Sequence, residues 1–187
     1  MKKLMLIAAF LSAALGASAQ DTDAILKSIA SSKARDAKVE SRFKEVRHFP
    51  SKPEAQLEGM LKYDPSGKLL MKYDNGEEFS IDGDIMVIDR DGKRTEFNTS
   101  KNIMMRGLQH ALIYAYQGRL RDIATEQNAR LLTSSKDGQY IVTISAQKVA
   151  PRGYSNIEIK YNAKTGALEA IRMDEFTGAR TFYSYIK

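Results

Sequence analysis

Leu57, Leu61 and Tyr63 alternate with polar residues, and beyond a turn Leu69, Met71 and Tyr73 do the same. Phe79 and Ile81 continue the alternation over a shorter span. A period of two with the apolar residues on one side predicts strands with one dry and one wet face. The breaks between them are turn chemistry. Asp64-Pro65-Ser66-Gly67 has the residues of a type I turn, and Asn75-Gly76 predicts a type I′ hairpin. Asp82-Gly83 and Asp91-Gly92 repeat the signal, so that glycines 67, 76, 83 and 92 punctuate an up-and-down antiparallel sheet. Strands resume at residues 131–133 and, past Asp137-Gly138, at 140–147. Two hairpins follow, with 157–161 and 168–173 meeting across Thr165-Gly166 and Thr177-Gly178 leading into 181–186.

Four segments read differently. Residues 21–38 have Ile25, Leu26 and Ile29 at helical spacing. Residues 39–49, with Val39, Phe43, Val46 and Phe49 among charges, resemble a long, partly exposed strand, and Pro50 and Pro53 bound a mobile loop after it. The stretch "KNIMMRGLQHALIYAYQG" predicts a central helix capped by Thr99 or Ser100 and ended by Gly118, with Met104, Leu108, Ala111, Leu112 and Ala115 on one stripe. A shorter helix covers 120–127. Roughly ten strands and two or three helices give an α+β fold: an unclosed, half antiparallel β-barrel with helices covering its open, concave face. The expected lining of that face is Phe43, Leu61, Leu69, Met71, Phe79, Ile81 and Met86 from the strands, and Met104, Leu108 and Leu112 from the central helix. Methionines suit such a lining, because their flexible thioether chains re-pack around ligands of different shape.

The N-terminus changes the setting. Lys2 and Lys3 precede an apolar run over residues 4–15, and Ala17-Ser18-Ala19 supplies a cleavage site. The run is shorter than the roughly 20 residues of a membrane span, so residues 1–19 read as a removed signal peptide and 20–187 as a single exported domain. With no cysteine in the chain, stability comes from packing rather than disulfides. Removing the two lysines lowers the formal charge of +6 by two. The remaining basic residues are interleaved with acids, which argues against nucleic acid as a partner.

Candidate chemistry is sparse. His48 and His110 lie far apart with no carboxylate partner set by spacing, and neither they nor any cysteine compose a metal site. Asp89-Arg90-Asp91-Gly92 lacks the ligand ladder of a calcium loop. Glu77-Glu78 sits at a hairpin end, where acids are ordinarily solvated. The expectation is a protein that is not an enzyme and needs no cofactor or metal.

The segments "RFKEVRHF", "LEGMLKYDPSGKLLMKY" and "EFSIDGDIMVIDRDGK" resemble the periplasmic outer-membrane lipoprotein carrier (LolA-like) family. Phe43, Gly59, Leu61, Pro65, Asp82, Gly83 and Asp89 occupy the pattern positions. Two departures mark a divergent member: Asp64 stands where an arginine precedes the hairpin proline, and Met86, Val87 and Ile88 replace an aromatic after Asp-Gly. The resemblance implies an unclosed barrel with a helical lid. It also implies a monomeric periplasmic chaperone that ferries acylated lipoproteins from an inner-membrane lipoprotein-releasing transporter to an outer-membrane acceptor. An envelope sensor of lipid or lipoprotein built on the same half-barrel is the alternative.

Overall fold

The computed structural model describes residues 21–150 and 152–186; the export signal read over residues 1–19 lies outside them. Helix α1 covers 21–30, shorter than the predicted 21–38. Ser32 turns the backbone there: its Oγ accepts from the Ala34 N–H at 3.2 Å and donates to the Thr165 carbonyl at 3.0 Å. Such local side-chain bonding competes with helix continuation. A 3-10 turn, Lys33–Arg35, follows and leaves Arg35 buried.

Six strands form a first meander: β1 (Val39–Phe49), β2 (Lys52–Asp64), β3 (Lys68–Tyr73), β4 (Glu78–Asp82), β5 (Ile85–Arg90) and β6 (Lys93–Asn98). Helices α2 (Ile103–Gln117) and α3 (Leu120–Glu126) come next. A second meander follows, of β7 (Ala129–Lys136), β8 (Gln139–Ala146), β9 (Tyr154–Asn162), β10 (Leu168–Glu175) and β11 (Arg180–Ile186). All eleven strands join one antiparallel sheet in the order β6-β5-β4-β3-β2-β1-β11-β10-β9-β8-β7. β1 and β11 meet in its middle, and β6 and β7 are its opposite edges, so the sheet is unclosed and the fold is α+β. The strand beyond the expected ten is β6, whose sequence KRTEFN buries none of its residues and shows no alternation to read.

The turns correct some details. Asn75 does not adopt positive φ; Gly76 alone does, at 89°. The Gly76 N–H donates to the Tyr73 carbonyl at 3.0 Å and the Tyr73 N–H to the Glu77 carbonyl at 2.9 Å, a type I turn closed by a glycine bulge instead of type I′. Asn75 Oδ1 accepting from the Glu77 N–H at 3.0 Å holds that form. The type I′ pattern of two positive φ values falls at Asp91-Gly92 and Asp137-Gly138. The connection over residues 50–53 is shorter than expected: 50 and 51 form a tight turn, β2 begins at Lys52, and Pro53 is accommodated where the β1–β2 register shifts between Arg47 and Phe49. At Gly59 a Cβ would lie 2.1 Å from the Lys72 carbonyl oxygen, so the close approach of β2 and β3 requires glycine.

One face of the sheet carries the core. Phe43, Leu61, Met71, Ile81 and Met86 from the first meander and Val142, Ile144, Ile157, Ile159 and Ile171 from the second belong to a single cluster with Ile29 of α1 and Leu112 of α2. β1 contributes Phe43 and Glu45 to the interior, whereas Val46 is half-buried and Phe49 is exposed. No helix among the described residues is long and apolar enough to cross a membrane.

Candidate functional site

Helix α2 connects the two edges of the sheet, and its sequence makes its two ends unlike. Asn102 caps the start, its Oδ1 accepting from the Met105 N–H at 3.2 Å, two or three residues after the predicted Ser100 or Thr99, which lie in a preceding 3-10 turn. Gly118 ends it with φ 70°, as predicted. Within the helix Ala111, Leu112, Ile113, Ala115 and Tyr116 are buried, all in its C-terminal half.

That half is tied down. The Tyr116 ring stacks on Tyr63 with centroids 4.4 Å apart, and the Tyr161 hydroxyl donates to the Ala115 carbonyl at 2.6 Å. Arg35 Nη1 donates to the carbonyls of Ala115 at 3.0 Å and Tyr116 at 2.8 Å, and its Nη2 donates to the carbonyl of Gly166 in the β9–β10 turn. The last carbonyls of a helix lack intrahelical partners and carry the negative end of its dipole, so a buried guanidinium satisfies both needs.

The other half is open. Ile103 is 74% exposed, and Met104, Met105 and Leu108 are only half-buried. Beneath this half lies a cavity of about 500 Å³ between α2, the end of α3 and residues 147–150, 152 and 153 of the β8–β9 connection. Ile103, Met104, Tyr154 and Phe176 supply apolar wall, and Arg106, Lys148 and Arg152 line it with positive charge. Gly107 passes the Tyr154 ring, where an added Cβ would stand 3.7 Å away. Val149 lies in the same connection and is 88% exposed. His110, for which spacing offered no carboxylate, is paired through Nδ1 with Glu126 Oε2 in the cavity wall. Its ring stacks on Tyr114 at 4.5 Å. His48 is exposed on β1.

The predicted lining residues divide between this cavity and the core. Phe43, Leu61, Leu69, Met71, Phe79, Ile81, Met86 and Leu112 are buried together in the packed cluster. Leu108 packs against that cluster's edge, and Met104 is the predicted residue that lines the cavity. A second concavity of about 530 Å³ touches Leu69 and Ile81, but its charges neutralise one another. Lys38 pairs with Asp64 at 2.9 Å, Lys62 with Glu40 at 3.0 Å and Lys68 with Asp82 at 2.7 Å.

A polar knot that hydrophobic alternation does not announce lies on the apolar face. Glu45, 1% exposed, accepts from Arg47 Nε at 2.6 Å and Nη2 at 2.9 Å and from the Tyr73 hydroxyl at 2.6 Å. Burial first, and the Glu45 charge second, push the Tyr73 hydroxyl well above its ordinary range. Among the described residues no group of three or more His, Cys, Asp or Glu side chains could hold a metal ion.

No family profile and no curated protein matches the chain. Solved structures do. A LolA-superfamily protein from Nitrosomonas europaea aligns with a TM-score of 0.41 at 8% identity, over 88% of this chain and 91% of the other. The chain is similar to LolA-superfamily proteins. The lipoprotein LppX from Mycobacterium tuberculosis aligns at a TM-score of 0.42 and 12% identity, over 88% and 94% of the two chains. LprF from Mycobacterium bovis aligns at 0.38 and 13%, over 88% and 92%. At the position where the LolA-like pattern has an arginine, Asp64 faces Lys38 at 2.9 Å and accepts from the Ser66 N–H at 2.9 Å. The Lys38 contact and the Ser66 N–H hold its carboxyl far below the usual carboxylate range.

Proposed function

We propose that this protein carries acylated lipoproteins through the periplasm, shielding their acyl chains from water between the inner and outer membranes. The observation that carries this reading is the contrast within α2, whose anchored half closes the apolar face while its other half overhangs an apolar-walled cavity beside exposed Ile103 and Val149. An acyl chain enters at that cavity. As the N-terminal half of α2 swings away, the concave face bearing Phe43, Leu61, Leu69, Met71, Phe79, Ile81 and Met86 receives the rest, with Met104 and Leu108 as the moving cover and Leu112 remaining with the anchored half. The physical need for such a carrier is large. Each buried methylene contributes about 0.8 kcal/mol, so one chain of ~16 carbons favours an apolar site over water by roughly 12 kcal/mol. No covalent step is involved, and the protein acts without a cofactor, as a monomer, between a releasing transporter in the inner membrane and an acceptor in the outer membrane.

The test incubates the purified protein with vesicles holding a triacylated lipoprotein and separates soluble from vesicle-bound material by flotation. The expected result is a soluble complex of the two proteins, absent when the lipoprotein lacks its acyl chains. Acylated lipoprotein remaining wholly with the vesicles would end this reading.

A further inference from the structure

The proposed reading calls for a cavity that holds hydrocarbon, but hydrocarbon alone does not account for this cavity's walls. Arg106 projects from the open half of α2, and Lys148 and Arg152 come from the β8–β9 connection facing it. Each is exposed, and none forms an ion pair with an acidic residue among the described residues. The single carboxylate in the lining, Glu126, is already engaged by His110. The second concavity shows the ordinary arrangement, with each of its lysines matched to a carboxylate within 3.0 Å. Three cations gathered from two elements around one apolar-walled cavity leave an unmatched positive field at its mouth.

We propose that the cavity selects lipids with an anionic head, taking one acyl chain against Ile103, Met104, Tyr154 and Phe176 while Arg106, Lys148 and Arg152 bind the carboxylate or phosphate. This rests on the acyl-binding reading and narrows its substrate class. The volume of about 500 Å³ lies within the range of sites that enclose one small molecule. A guanidinium offers forked donors that match carboxylate and phosphate oxygens, and two of the three cations are arginines. A flat anionic bilayer also attracts exposed Ile103, Val149 and the three cations, but it would leave the enclosed space beneath α2 unfilled.

The test titrates the purified protein with two fluorescent probes of equal chain length, a fatty acid and the corresponding neutral alcohol, each kept below its aggregation concentration. A third titration uses a fluorescent lysophosphatidylglycerol. Anionic probes are expected to bind about tenfold more tightly than the alcohol, the size of one partly exposed charge-assisted contact. In the triple variant Arg106→Gln, Lys148→Gln, Arg152→Gln that ratio falls to about one while alcohol binding is kept, and the exposed positions leave the urea midpoint unchanged. Preference for the carboxylate alone identifies fatty acids, and preference for the phosphate alone identifies phospholipids; either upholds the proposal. Equal binding of acid and alcohol overturns it and leaves the acyl-binding reading standing. Absence of binding by any probe overturns it as well, and whether lipoprotein extraction from vesicles also fails then decides the broader reading. Sedimentation with anionic vesicles but no uptake of monomeric probe overturns it in favour of a membrane-facing surface.

Discussion

The C-terminal half of α2 is buried, stacked on Tyr63, and held through its last carbonyls by Arg35 and Tyr161. The N-terminal half, one turn of Asn102 capping aside, presents Ile103 to solvent and covers a cavity. One helix of 15 residues thus combines a fixed end and a free one. A cover hinged in this way opens without unfolding, because Arg35, Tyr63 and Tyr161 hold the side that stays, while the free half is tied to the sheet through Gln109 Nε2, which donates to the Gly83 carbonyl at 2.6 Å.

The largest effect that separates the halves comes from alkali. Tyr116, Tyr161 and Tyr185 under the fixed half have hydroxyls pushed above the ordinary value of 10.0, by burial in each case first. Because the folded state holds these protons more tightly, their contribution to stability is whole below pH 10 and declines as pH rises beyond it. Each costs about 1.4 kcal/mol per pH unit above that point. Tyrosinate absorbance should therefore rise in two steps, the second coinciding with loss of the circular dichroism signal. A single smooth titration with the fold intact would mean that the fixed half is not sealed.

A smaller break comes from Arg35→Met, which leaves the carbonyls of Tyr116 and Gly166 without the guanidinium donor and that of Ala115 with the Tyr161 hydroxyl and the Gly118 N–H. The expected loss is about 3 kcal/mol in urea unfolding, with faster amide exchange at residues 115–118 than at any point of the β1–β2 pair. Unchanged exchange there would show that aromatic packing alone anchors the helix. The smallest effect belongs to the free half. Ile103→Ser should change stability by less than about 0.5 kcal/mol while weakening the uptake of a fluorescent fatty acid. A large fall in the urea midpoint would show that Ile103 supports the fold.

The strands were legible because their alternation is strict: Leu61, Leu69, Met71, Phe79 and Ile81 are all buried on one face, as the period of two predicts. The same rule, carried along β1 from Phe43, would have placed Glu45 and Arg47 on the inner side, but their charge masked it; the partners Arg47 and Tyr73 make the burial of Glu45 tolerable. The cavity was less legible. Of its walls, Met104 lies on the predicted stripe, whereas Tyr154 and Phe176 flank predicted strands and Lys148 and Arg152 sit in a connection with no periodicity. What unites them is the crossing of α2 over the β8–β9 end of the sheet, a long-range contact that no local pattern encodes. Arg35 is a similar case, since its three carbonyl partners lie 80 or more positions away.

The central pairing of β1 with β11, seven residue pairs from Arg42 with Ile186 to His48 with Arg180, has a consequence for how the chain reaches this state. Each meander can form from neighbouring hairpins as it emerges, but the seam between them joins the first described strand to the last. Until β11 docks, β1 presents an unpaired edge, and the apolar face has only half its width to cover. Such a seam closes late and slowly, because the loop it shuts spans nearly the whole domain. The half-assembled species is therefore the one most prone to pair with another copy of itself, and it is the one that a folding helper would need to recognise.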